Sequence, residues 1–114
     1  MSAIDRTLIL IVDDQETGRY AKARVLRAAG FEVLEAATGG DGLRIIHELG
    51  PRLVVLDVQL PDMNGWDLCR QLKAEPSTAN VLVLQVSATF VEEADTVRAL
   101  EGGADGCLTE PIDG

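Results

Sequence analysis

The chain has 114 residues, 46% of them hydrophobic, and a formal net charge of −9. That length holds one small domain with a single core, and that apolar fraction argues against an intrinsically disordered chain. The acidic balance argues against direct nucleic-acid contact, which needs a basic face, and no apolar run approaches the ~20 residues that span a bilayer.

The N-terminus, Met1 to Thr7, carries an acid where a signal peptide would carry positive charge, so a cytoplasmic protein is expected. The first predicted element is "TLILIVDD" at 7–14, a continuous apolar run rich in β-branched residues and closed by acids. Runs of that kind mark strands buried on both faces, as in parallel sheets. A helix is predicted from Glu16 to Ala29, with Ala21, Val25, Leu26, Ala28 and Ala29 as its apolar stripe and Gly30 as its stop. "FEVLEA" at 31–36 reads as a weaker edge strand, and Asp41 to Leu49 as a second helix closed by Gly50-Pro51.

"RLVVLD" at 52–57 and "VLVLQVS" at 81–87 are again solidly apolar, and between them a third helix starts near Asn64-Gly65 and ends before Pro76. Thr89 and Glu92 have capping-box spacing and open a fourth helix, which Gly102-Gly103 ends. "GCLTE" at 106–110 supplies a fifth strand. Strands and helices therefore alternate. Right-handed crossovers then imply an α/β fold, a doubly wound five-stranded parallel sheet of flavodoxin-like order 2-1-3-4-5. Only "IDG" follows Pro111, so the last helix is expected to be absent and residues 1–114 to be one domain cut from a longer protein. The apolar sheet face left bare would favour a homodimer.

Three acids meet at the carboxyl ends of these strands. Asp13 and Asp14 end the first, Asp57 ends the third, and in open α/β sheets the crevice between such strands is where ligands sit. Like charges at a few ångströms repel, so the cluster either holds protons or binds a cation. Hard oxygen ligands suit Mg²⁺ or Mn²⁺. Cys69 and Cys107 read as small hydrophobes, His47 as a partly exposed helix residue, and Trp66 as a packing residue. Arg19, soon after the acids, is either a solvated arginine or a source of positive charge for them.

"LIVDDQETGR", "VVLDVQLPDMNGWDLCRQLK", "VSA" and "GGADGCLTEP" together resemble the receiver domain of two-component response regulators. The resemblance covers nearly the whole chain. It implies that Asp57 accepts a phosphoryl group from a phosphohistidine on a histidine kinase or phosphotransfer domain. It also implies that Asp14, Asp57 and the backbone carbonyl of Gln59 hold Mg²⁺, with Asp13 acting through water. Ser87 would hydrogen-bond a phosphoryl oxygen, and Ala88 would leave room beside it. Such a domain is a signalling phosphoacceptor and no enzyme on other substrates.

Two positions depart from the family pattern: Glu110 stands where receivers usually carry lysine, and Cys107 where they carry Tyr or Phe. A unit charge ~4 Å from another is worth about 4 kcal/mol at an effective dielectric near 20, so an inward Glu110 would repel a phosphoryl group that lysine would attract. Cys107 is too small to act as an aromatic rotor. Two alternatives stay open: a pseudo-receiver that works by protein contact without phosphorylation, and a small metal-dependent phosphatase with an aspartyl nucleophile.

Overall fold

The computed structural model describes residues 7–87 and 100–109, the last of these by its backbone alone. Five strands form one parallel sheet: β1 Leu8–Val12, β2 Glu32–Ala36, β3 Leu53–Asp57, β4 Leu82–Ser87 and β5 Gly106–Thr109. Their order is β2-β1-β3-β4-β5, as the strand and helix alternation predicts, so the order reverses between β1 and β3. Three helices connect them among the described residues: α1 Glu16–Ala28, α2 Gly39–Leu49 and α3 Gly65–Ala74.

Each central strand alternates between two cores, which is why its sequence is apolar throughout. Leu10, Val12, Val54, Leu56 and Val83 pack on one face with Ile46 of α2 and Leu68, Cys69 and Leu72 of α3. Ile9, Ile11, Val55 and Val86 pack on the other with Ala23 and Leu26 of α1. Cys69 is buried and Cys107 half-buried against the first core; Trp66 packs there too. On the second face Leu82 and Leu108 remain 48% and 42% exposed.

The predicted stripe of α1 is corrected by the structure. Ala21, Val25, Ala28 and Ala29 face solvent, and Val25 is 63% exposed. At 100° per residue these lie on the side opposite Ala23, the one fully buried residue of the helix. Leu26, the fifth of the predicted stripe, does pack inward. Small alanines on both sides gave α1 two weak apolar faces, and its orientation was settled by charge: Arg19 and Lys22 turn to the end of β1.

The helix ends follow local chemistry. Gly50 closes α2 in the left-handed region at φ 57, and Asn64 caps α3 by accepting from the Trp66 amide at 2.8 Å. α2 begins two residues earlier than expected because Asp62, from the loop after β3, accepts from the Gly39 and Gly40 amides at 2.8 Å each. A carboxylate there satisfies two free helix amides and opposes the positive end of the helix dipole. Before β5, Leu100 and Glu101 are helical, and Gly103 at φ 98 turns the chain toward the sheet. The predicted capping pair Thr89 and Glu92, and most of the predicted fourth helix, lie outside the described residues. So does whatever follows Thr109.

Candidate functional site

β1 and β3 are neighbours in register, Val12 beside Leu56, so the residues that follow them emerge side by side at the same edge of the sheet. The carboxylates of Asp13, Asp14 and Asp57 can place one oxygen each within 4.8 Å of one another. Asp13 is buried, Asp57 half-buried and Asp14 exposed. The cluster thus grades from core to solvent. That suits a site whose deepest carboxylate is fixed by the protein and whose outermost can meet an incoming ion.

The deep carboxylate is fully engaged. Asp13 Oδ1 accepts from the Gln15 amide at 2.9 Å, and Oδ2 accepts from Lys22 Nζ at 2.7 Å. The Lys22 and Asp13 side chains are 15% and 5% exposed, so this is a nearly buried ion pair. Lys22 lies two turns into α1, but helix side chains lean toward the helix N-terminus, and the stem carries the ammonium back up to the carboxylates. Gly18, one turn earlier on the same side, leaves the lane open: a Cβ there would stand 3.4 Å from Asp13 Oδ2 and 3.7 Å from Lys22 Nζ. A recess beneath the strand ends is lined by Asp13, Lys22 and Asp57 with Val55 and Val86.

Asp57 is held from the loop that follows it. Its Oδ1 accepts from the Gln59 amide at 3.1 Å, and Gln59 bridges back to Asn64 across the loop. The Gly65 amide donates to the Val58 carbonyl at 2.7 Å, drawing the start of α3 against the β3 backbone. A Cβ on Gly65 would collide with the Asp57 carbonyl oxygen and stand 2.8 Å from Val58 Cα, so only glycine allows this approach. Ser87 ends β4, buried, and pairs with Thr109 of β5.

Of the other residues singled out in the sequence, Arg19 spends its guanidinium on the Asp13 backbone carbonyl at 2.8 Å and on Glu35 at 3.2 Å, so it braces the edge of the site and does not enter it. His47 is exposed on α2 and contacts Glu75 at 3.1 Å, away from the acids. Ala88 and Glu110 lie outside the described residues. Lys22 and Asp62 are the two site-shaping residues that sequence reasoning did not single out. The spacing of Lys22 from Gly18 and Arg19 puts the three on one side of α1, and that was the available signal.

Three carboxylate oxygens in reach of one point fit a hard divalent cation, whose charge would relieve their mutual repulsion. The donor set contains no sulfur or imidazole, which sets it apart from zinc or copper sites. No helix of the described residues is long and apolar enough to cross a membrane.

Comparison with known proteins agrees with this geometry. Residues 9–114 match the family model of the response regulator receiver domain. Protein PilH of Pseudomonas aeruginosa is 37% identical over 105 residues, covering 92% of this chain and 86% of PilH. The DNA-binding response regulator MtrA of Mycolicibacterium smegmatis is 38% identical over 107 residues, covering 94% of this chain, which spans only 45% of MtrA. The crystal structure of a CheY-like response regulator receiver domain protein from Methanospirillum hungatei superimposes with a TM-score of 0.86 at 29% identity, covering 96% of this chain and 85% of that one. A shared five-stranded topology, acids at the ends of its first and third strands, and a family match over almost the entire length place this chain among the response regulator receiver domains.

Proposed function

We propose that the chain is a phosphoacceptor in a two-component phosphorelay, with Asp57 as the residue modified. The observation that carries this reading is the meeting of Asp57 with Asp13 and Asp14 within 4.8 Å at the switch point of the sheet. An Asp57 carboxylate oxygen would attack the phosphorus of a phosphohistidine on a histidine kinase or phosphotransfer domain. The new P–O bond forms as the P–N bond breaks, and the departing imidazole keeps the electron pair. The product is an acyl phosphate, labile enough to serve as a timed signal. Aspartate needs no base for this, being ionised at neutral pH.

A bound Mg²⁺ or Mn²⁺ would supply charge neutralisation for the phosphoryl oxygens in this acidic setting. Asp14, Asp57 and the Gln59 carbonyl are the residues to hold it, with Asp13 contributing through water. The buried Ser87 hydroxyl is the donor to a phosphoryl oxygen. A cytoplasmic location belongs to the same reading.

The test is direct. Incubated with Mg²⁺ and acetyl phosphate, the chain should gain the mass of one phosphoryl group in a hydroxylamine-labile form, and Asp57→Asn should gain none. The second reading is a receiver that acts by protein contact alone. It is favoured by the Lys22–Asp13 pair, which already supplies a cation to the acids. Absence of labelling at any Mg²⁺ concentration would support it. Steady release of phosphate from many phosphoesters would instead indicate a phosphatase.

A further inference from the structure

Phosphorylating Asp57 adds a dianionic group to a cluster of three carboxylates, so the site needs positive charge beyond what one divalent ion provides. The end of β5 does not provide it. Residues 104–114, "ADGCLTEPIDG", contain neither lysine nor arginine, and the residue directly after Thr109 is Glu110. Arg19 is committed to the Asp13 backbone and Glu35. Lys22 alone among the described cations lines the recess with Asp13 and Asp57, its ammonium 2.7 Å from Asp13 Oδ2.

We propose that Lys22 is the phosphoryl-binding cation of this site, parked on Asp13 until a divalent ion takes over that carboxylate. The proposal rests on Asp57 being the phosphoacceptor. In the resting state the ammonium neutralises the deepest acid, which would otherwise be a buried charge without compensation. With a divalent ion held by Asp14, Asp57 and the Gln59 carbonyl, the charge of Asp13 would be met through metal-bound water, and the ammonium would be repelled from it. The released ammonium stays tethered by a four-carbon stem in the lane left by Gly18 and contacts a phosphoryl oxygen on Asp57. It remains protonated throughout and moves no proton. Lys22 and the metal thus compete for Asp13 in the resting state and cooperate around phosphate in the modified one.

These two couplings have opposite signs, and a residue that only packs would show neither. Lys22→Met should bind Mg²⁺ several-fold more tightly by calorimetry, because a competing cation is gone. Its rate of labelling by acetyl phosphate at saturating Mg²⁺ should fall about tenfold to a hundredfold, the worth of one charge-assisted hydrogen bond. Glu110 stands where receivers usually carry lysine, and Lys22→Met combined with Glu110→Lys should recover most of the labelling. Equal Mg²⁺ affinity and equal labelling in wild type and Lys22→Met would overturn the proposal while leaving Asp57 as acceptor. Failure of the wild type itself to label sinks the phosphoacceptor reading, and this proposal with it. Should Lys22→Met not fold, a crystal of the wild-type chain with Mg²⁺ and beryllofluoride decides: Nζ within hydrogen-bond distance of a fluoride supports the proposal, and Nζ still on Asp13 refutes it.

Discussion

A single added methyl group would do the most local damage at Gly65. Its Cβ would meet backbone on both Asp57 and Val58, and backbone cannot rotate away as a side chain can. Gly65→Ala should therefore lower stability by about 2 kcal/mol or more, in the range of overpacked cores, and tilt Asp57 out of the cluster. Chemical unfolding would read the first effect and acetyl phosphate labelling the second; native stability with full labelling would show that the loop yields easily. Asp13, Asp14 and Asp57 were legible from the sequence because each closes or follows a strongly apolar run, and an acid at that place has few structural excuses. Lys22 was not legible. A lysine in mid-helix looks like any solvated lysine until the helix is turned, and only Ala23 and the pull of Asp13 settle that turn.

Between elements, the loop after β3 does double duty. One end fixes Asp57 through Gln59 and Gly65, and its middle clasps the start of α2 through Asp62. The Gly40 and Gly39 amides, in that order of effect, hold the Asp62 carboxyl below its ordinary pKa. A depressed pKa means that the folded state prefers the ionised form. The stabilisation is complete above the unfolded value of about 3.9 and is lost as pH falls through the lower folded value. The gap in urea midpoint between wild type and Asp62→Ala should thus be present at neutral pH and shrink as pH drops below ~4. A gap that is constant across that range would mean that the clasp does not depend on charge. Helix α2 itself was readable from its apolar pattern and from Gly50; of the two side chains that hold its first turn, Thr38 is local and accepts from the Asp41 amide at 3.1 Å, whereas Asp62 lies 22 positions from Gly40 and left no local signal.

For the molecule as a whole, 19 acids against 10 lysines and arginines make the carboxylate cluster one part of a generally negative protein. A divalent ion bound there adds stability by mass action, about 2.7 kcal/mol at a hundred times its dissociation constant. For a domain of this size that is a rise in Tm on the order of 10 °C. Asp14→Asn, which alters the exposed carboxylate and leaves the Lys22–Asp13 pair intact, should abolish most of the rise in a calorimetric scan. An equal rise in both proteins would locate the ion elsewhere.

By itself the sequence determined the class of the sheet, its strand order and the three acids at its edge. Strands buried on both faces have to be apolar throughout, and right-handed crossovers leave few ways to order them. The facing of α1, the clasp of Asp62 on α2 and the cation resting on Asp13 were decided only by the tertiary structure. Each is a contact between groups on different elements, and no local periodicity records which distant charge a side chain will meet.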